Sequence, residues 1–530
     1  MSEIKRLIFD KFDGSGGWWS STARQVNDGR VGLLTGMRPV VDGTAAALVP
    51  AQRITLLAGT PSDTRSCAAV FGGNVYFSAG LKLFKMTANG SGLFTGYSDL
   101  LFPSGTITDM VVHEGLLYIA NTGTKIHSYD GTTFLDVTAT YTNAGVANNS
   151  LGSYNGIFFW RGGTTDTLNW RVVAGTPTNY SRGLGAGNIR RILGAAGSLW
   201  LGCQGGLFRL RGTPRAGAPS TAPGVLNLFE PEIVKVLDTD YNLPGGGPNE
   251  QNFTQMQAAH GYLWFWANGR VYRVKISEAD GPGAAEVEPQ PLFGKFRGMG
   301  LCDGLVVVSL ESNGFRYLWA WELGRGWWLI DSGGSSSLNF NTPFSGLAIA
   351  KDAAVCCVIY NEFNLVRYPL DNGYLIGRNS NTFGLSDVSR TGYIDLPAIS
   401  PDDLGRGSSA AVKSARLLRV GVEWGVPGNL NDFADVTNYR VGGSSAGAIS
   451  YEPWISVNAG ASWVMLGPYA PPDYTNFGNG RNVWEIPAAL GEAIKLGGVT
   501  PAYWQVRLAV VGPYAPPVKR IIVDCALERI

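Results

Sequence analysis

A glycine followed by four mostly apolar or aromatic residues recurs down the chain. It reads Gly73-Asn74-Val75-Tyr76-Phe77, Gly115-Leu116-Leu117-Tyr118-Ile119 and Gly156-Ile157-Phe158-Phe159-Trp160, then Gly197-Ser198-Leu199-Trp200-Leu201, Gly261-Tyr262-Leu263-Trp264-Phe265 and Gly304-Leu305-Val306-Val307-Val308. Successive glycines lie 42, 41, 41, 64 and 43 residues apart. Many units carry a second apolar run after a polar turn, such as Leu81–Met86, Lys125–Tyr129, Gly206–Arg211 and Arg270–Val274. Several of these alternate apolar and basic residues, the period of a strand with one buried face. Asp130-Gly131 and Asn268-Gly269 are hairpin dipeptides. Short strands repeating at roughly 40–45 residues are the signature of β-propeller blades. The chain therefore predicts an all-β protein with six clear blades, and a degenerate seventh is read near Ala353–Tyr360.

The same pattern divides the chain. Residues 1–55 read as an N-terminal arm and first strands, with a glycine hinge before Trp18-Trp19. Residues 56–390 read as the propeller. The 64-residue step inside it is an insertion at 212–252, rich in Pro and Gly and holding one short strand at Ile233–Leu237. A loop of that length is usually functional or mobile. Residues 391–414, with Pro397, Pro401, Gly405 and Gly407, read as a linker. Residues 415–530 read as a C-terminal β-sandwich of short strands. Gly-Pro-Tyr-Ala-Pro-Pro occurs there at both 467–472 and 512–517. Its prolines do not fit central strands, so both copies are expected in turns, as strand connections or as a contact device.

Composition supports this reading. Gly accounts for 72 of 530 residues and charged residues for 16%, against about 7% and 25% in ordinary domains. A weakly charged, aromatic-rich surface suits burial against other subunits, although glycine-rich β proteins also carry few charges. A net charge of +1 leaves no electrostatic footprint for nucleic acid. The six cysteines, Cys67, Cys203, Cys302, Cys356, Cys357 and Cys525, form no C-x-x-C pair and read as small buried residues. No secretory h-region and no run of 18 apolar residues occurs, so membrane insertion is not expected and assembly in a cytoplasm is.

The search for chemistry assigns no catalytic, cofactor-binding or metal-binding residue. Of the three histidines, His113 and His260 sit just before a repeat glycine and His127 lies in a strand; none has a ligand-spaced partner. No P-loop and no G-x-S-x-G nucleophile elbow is assigned. Asp402-Asp403 reads as a solvated turn in the linker. Arg182, Arg190, Arg191, Arg209, Arg211 and Arg215 form a mild basic cluster, either the polar face of one or two blades or a surface toward nucleic acid. Ser456-Val457-Asn458-Ala459-Gly460-Ala461-Ser462-Trp463 resembles the Asp-box hairpin of sialidases, with Asn458 in place of the usual Asp. It is a folding device, a turn closed by a side chain with a Trp packed beneath. An enzyme is not expected.

The order of parts, an N-terminal arm, a propeller and a terminal β-sandwich, resembles the tail nozzle, or packaged-DNA-stabilisation, proteins of short-tailed bacteriophages. The resemblance is carried by the strand Leu417–Glu423, the hairpin Trp454–Trp463, and the late-blade turn Trp319-Ala320-Trp321-Glu322-Leu323-Gly324-Arg325-Gly326-Trp327. The family's Arg-rich strand is represented by Trp504–Leu508, with Arg507 alone. The resemblance implies a virion protein, assembled in the host cytoplasm, that forms a homo-hexameric tube around the DNA exit channel. It also implies a portal-adaptor protein above, docked fibres or spikes, and double-stranded DNA passing through the lumen without sequence-specific contact. The insertion at 212–252 would then be a gate. The alternative is a receptor- or glycan-binding propeller component of a tail.

Overall fold

The computed structural model describes residues 3–12, 29–39, 44–47, 51–55, 67–79, 82–88, 94–103, 105–122, 125–141, 150–162, 167–172, 178–184, 187–211, 232–238, 252–279, 287–302, 304–312, 315–332, 344–349, 353–360, 362–369, 387–388, 391–405, 411–425, 450–458, 461–467, 479–497, 503–511 and 517–529. The chain forms two compact units. One comprises residues 54–316 and 340–366, the other 1–53, 317–339 and 367–530.

The first unit is the propeller. Its first blade is an antiparallel meander of Ala68–Phe71, Asn74–Ala79, Lys82–Ala88 and Phe94–Asp99. Four more four-stranded meanders follow, beginning at Ile107–His113, Leu151–Tyr154, Ile189–Ala195 and Met256–Ala259. The pairs Lys295–Cys302 with Leu305–Ser312 and Phe344–Ile349 with Ala353–Tyr360 begin the sixth and seventh. Each first strand packs on the first strand of the next blade, and Phe344–Ile349 packs on Ala68–Phe71. Seven blades therefore close the ring, the degenerate unit included.

The repeat glycine has a local cause. Gly73, Gly115, Gly156, Gly197, Gly261 and Gly304 all have φ between 71° and 80°. The residue before each of five of them, Gly72, Glu114, Asn155, Ala196 and His260, also has positive φ, between 45° and 54°. Two consecutive positive φ values make the two-residue I′ hairpin that matches strand twist. The apolar run after each glycine is buried because a second strand has neighbouring blades on both faces. In blade four, Leu199, Trp200 and Leu201 are all fully buried. Trp200 and Leu207 join the core shared with blade five, while Leu199 and Leu201 join the core shared with blade three. Close approach of blades three and four depends on Gly152 and Gly194: an added Cβ at Gly194 would lie 1.9 Å from the Ser153 carbonyl oxygen.

The strand foreseen in the insertion is Glu232–Asp238, the outermost strand of blade four, paired with Gly206–Arg211. The rest of the insertion, 212–231 and 239–251, lies outside the described residues, as do Trp18-Trp19 and nearly all of both Gly-Pro-Tyr-Ala-Pro-Pro copies.

The second unit is a β-sandwich-like assembly of two sheets. In one, the long last strand Val518–Arg529 pairs on one side with Val412–Gly425 and on the other with Glu3–Phe9; Asn479–Glu485 continues the sheet beyond Val412–Gly425. The N-terminal strand is fastened by Phe9, fully buried, and by Arg6, whose Nε donates to the buried Asp524 carboxylate at 2.8 Å. Burial works to raise the Asp524 pKa, but the bonds from Arg6 and Arg419 outweigh it and hold the carboxyl below its ordinary value. The second sheet runs Phe315–Glu322, Gly326–Ser332, Leu33–Thr35, Thr391–Asp395, Gln505–Val511, Ser450–Ser456 and Val464–Met465.

The stretch read as a linker is thus ordered in part. Thr391–Asp395 is a central strand between Leu33–Thr35 and Gln505–Val511. Pro401–Gly405 is a short helix. Asp403 is buried, and its carboxylate accepts from the Ser400 N–H at 2.9 Å and the Ser400 hydroxyl at 2.7 Å. Ser-Pro-Asp-Asp is a capping-box pattern with Pro at the first helical position; Asp403 is a cap, not a solvated turn residue. Division into units follows strand pairing rather than chain order.

Candidate functional site

Strand pairing leaves one edge of every innermost strand without a backbone partner, and the N–H groups on that edge need acceptors. They are met from the neighbouring blade. Six residues before each repeat glycine stand Cys67, Asp109, Ser150, Arg191, Gln255 and Gly298, at the inner strands of six successive blades. Asp109 of blade two accepts from the Leu151 N–H of blade three at 2.9 Å. Ser150 of blade three accepts from the Ile192 N–H of blade four at 3.0 Å. Gln255 of blade five accepts from the Met299 N–H of blade six. In each case the donor is the residue five before the next repeat glycine.

The remaining three positions depart from this rule for chemical reasons, and Gly298 has no side chain with which to accept. Cys67 is a weak acceptor, and the next donor in line, the Met110 N–H, turns to Asp109 of its own blade at 2.9 Å. Arg191 has no acceptor at all. Its guanidinium instead reaches back past blade three and pairs with Asp109. The Ser150 hydroxyl completes the Asp109 shell at 3.2 Å. Asp109 is 2% exposed and its Arg191 partner side chain 22%, so the pair is largely removed from water. Irregular pairing just before Asp109, Arg191 and Gly298 places a bulge at the same point in blades two, four and six. Bulges re-aim side chains, and here they turn Asp109 and Arg191 toward one another.

Cys67 belongs to the same cluster. Its Sγ lies 3.2 Å from the Ser78 hydroxyl. Burial first, and then the Asp109 charge, push the thiol up to about 12. A thiol held protonated is a poor nucleophile. Asp109 has four donors around it and serves as a strut between blades. Cys203 and Cys525 are fully buried, and burial pushes the Cys525 thiol up to about 12 as well.

Of the basic residues singled out in the sequence, Arg191 and Arg209 lie on different strands of blade four. Arg191 joins Asp109 on the inner strands. Arg209 lies on the third strand of blade four, stacked 5.0 Å from the Trp200 ring, with its Nε donating to Ser198 at 2.9 Å. The side chains of Arg182 and Arg211, and all of Arg215, lie outside the described residues. The histidines occupy blade seams. The Nδ1 of His113 lies 2.9 Å from the Ser153 hydroxyl of blade three, and His260 bonds the Gly304 carbonyl of blade six. Among the described residues no cluster suited to a metal ion occurs, and no helix is long and apolar enough to cross a membrane.

A second built cluster lies in the terminal unit. The Asn458 side chain closes its turn by accepting from the Ser462 N–H at 2.9 Å and donating to the Ser462 hydroxyl at 2.8 Å. Trp463 then stacks on the Arg507 guanidinium at 4.1 Å, with Tyr393 at 4.9 Å. Asp395, 2% exposed, receives the Arg507 Nη2 at 2.8 Å. The lone arginine of its strand is thus bracketed by two rings and a buried carboxylate. Burial opposes its charge, but the Asp395 bond prevails and raises its pKa.

No family model and no curated protein matches the chain. Among solved structures it is similar to a streptogramin B lyase, at 12% identity and TM-score 0.42 over 60% of this chain and 98% of that one. Virginiamycin B lyase from Staphylococcus aureus gives 12% and 0.41 over 60% and 98%. The β-propeller domain of Cps50 (Swd1) from Myceliophteria thermophila gives 12% and 0.39 over 60% and 99%. At these values the likenesses assign no activity. The protein is a β-propeller with a β-sandwich-like unit, on the strength of its own strand pairing.

Proposed function

We propose that the chain is a structural ring protein, one subunit of a hexameric tail nozzle of a short-tailed bacteriophage. One observation carries this reading. The polar groups where the inner strands converge are bonded from blade to blade, Asp109 to Ser150, Leu151 and Arg191, Ser150 to Ile192, and Gln255 to Met299. Such a ring resists deformation and suits a wall segment. The Asn458 hairpin with its stacked Trp463, in the terminal unit, supports the same family resemblance. In this role the subunits would surround the DNA exit channel beneath a portal adaptor and carry fibres or spikes.

A receptor- or glycan-binding tail propeller would use the same scaffold. The aromatic position repeated in the second strands, Tyr76, Tyr118, Phe159, Trp200 and Trp264, is buried, so a solvent-facing platform would need other residues. Purified protein mixed with phage connectors and imaged in negative stain distinguishes the readings. The nozzle reading expects a six-fold tube on the connector and a solution mass six times the 56.6 kDa chain. A monomer that ignores connectors and binds a glycan array refutes it.

A further inference from the structure

Two of the chain's three histidines lie in blade two, one on each of its faces. On the side toward blade three, His113 is buried against Tyr118 and Phe158, with ring centroids 5.9 and 5.4 Å away. Its Nδ1 meets Ser153 of blade three, and its buried Nε2 has no hydrogen-bond partner among the described residues. On the side toward blade one, His127 is buried and meets Phe102 edge-on at 5.1 Å. It shares that face with Tyr129, which contacts Tyr76 of blade one at 5.8 Å. Its Nδ1 is likewise buried without a partner.

We propose that blade two is an acid-sensitive latch of the ring, held by neutral His113 and His127 and loosened on both faces when they take up protons. A proton on either imidazole creates a charge among aromatic rings; at His127 Nδ1 the N–H meets no hydrogen-bond partner among the described residues, and at His113 Nε2 it faces only the Glu114 carboxylate, beyond hydrogen-bond distance. The charged neighbours do not remove that cost. Glu114, half-exposed, is 4.0 Å from His113. Beyond Tyr118 on that side lie the Tyr141 phenol and Arg171, whose guanidinium sits over the Tyr141 ring at 5.6 Å. Opposite His127 stand Asp136 and Lys125, already paired with each other at 2.9 Å. Burial is the leading cause at both histidines and lowers both pKa values; Glu114 and Asp136 oppose it, and Lys125 adds to it.

The sign follows. The unfolded chain binds these protons near the ordinary histidine value of about 6.5, while the folded blade binds them only at lower pH. The stability contribution is complete above that value and is lost as pH falls through the window below it.

Hydrogen–deuterium exchange of the full chain at pH 7.5 and 5.0, corrected for the intrinsic pH dependence of exchange, tests the proposal. Exchange should rise severalfold at pH 5.0 in Ile107–His113, Leu116–Asn121 and Ile126–Tyr129, while Ser198–Cys203 and Tyr262–Ala267 stay unchanged. The rise should shrink in His113→Asn or His127→Phe and vanish in the double variant, whereas His260→Gln should leave it intact. An equal rise in every blade, or one that survives in the double variant, overturns the proposal. Should the double variant not fold, NMR of wild-type protein labelled only at histidine decides the matter. Two of three imidazoles must titrate below the ordinary value, and fewer than two refutes the latch.

Discussion

Arg191→Met is the most direct probe of the strut between blades two and four. Methionine keeps much of the apolar stem but removes the guanidinium that pairs with Asp109. Breaking a buried pair by removing one partner costs about 3–5 kcal/mol, because the other charge stays behind in a dry site. Two features reduce that figure. Asp109 keeps three donors, the Met110 and Leu151 N–H groups at 2.9 Å and the Ser150 hydroxyl at 3.2 Å. The Arg191 side chain is 22% exposed, so water already screens part of the attraction. The expected loss is therefore about 2–3 kcal/mol. At about 2 °C per kcal/mol for a unit this large, the melting temperature falls by about 5 °C. Scanning calorimetry measures it. Adding Asp109→Asn to the same chain removes the stranded charge and should recover part of the loss. A single-variant cost under about 0.5 kcal/mol, the value of an exposed pair, would show that the strut carries no load and refute the reasoning.

Two further outcomes follow from packing. Gly194→Ala should be worse than Gly152→Ala, since the first drives a Cβ to 1.9 Å from the Ser153 backbone oxygen, whereas the second meets the Ile192 Cγ2 at 2.3 Å, a side-chain atom that moves with χ1; soluble yield and thermal unfolding of the two variants rank them, and equal behaviour would count against close blade contact there. In the terminal unit, Trp463→Ala removes one of the two rings stacked on Arg507 and should cost about 1–2 kcal/mol; urea unfolding followed by the loss of terminal-unit signal checks it, and no change would mean the stacking is incidental.

Much of this architecture was legible along the chain because it is set locally. A glycine every 41 to 43 residues, apart from one 64-residue step, marks a backbone position with positive φ, and only a hairpin turn with little side-chain penalty repeats in that way. The apolar runs after it are strands buried on both faces. The degenerate stretch Ala353–Tyr360 showed little of the phrase yet forms a strand of the seventh blade, since ring closure demands a partner for blade one whatever its composition. The Ser400-Pro401-Asp402-Asp403 cap was equally readable in residues, but surrounding prolines and glycines gave it the look of a linker.

The sequence alone determined the blades, their period and the Asn458 turn, because turns and strand faces depend on neighbours only a few residues away. The tertiary structure alone decided the site. Cys67, Asp109, Ser150 and Arg191 are some 41 residues apart and unlike one another in chemistry; they become a set only when ring closure stacks equivalent positions side by side. Asp109 and Ser150 satisfy the unpaired edge of the next inner strand and Arg191 pairs back to Asp109, and no local pattern announces which N–H groups a fold will leave without partners. The same holds for Glu3–Phe9, which is a strand because Val518–Arg529 lies beside it, at the far end of the chain.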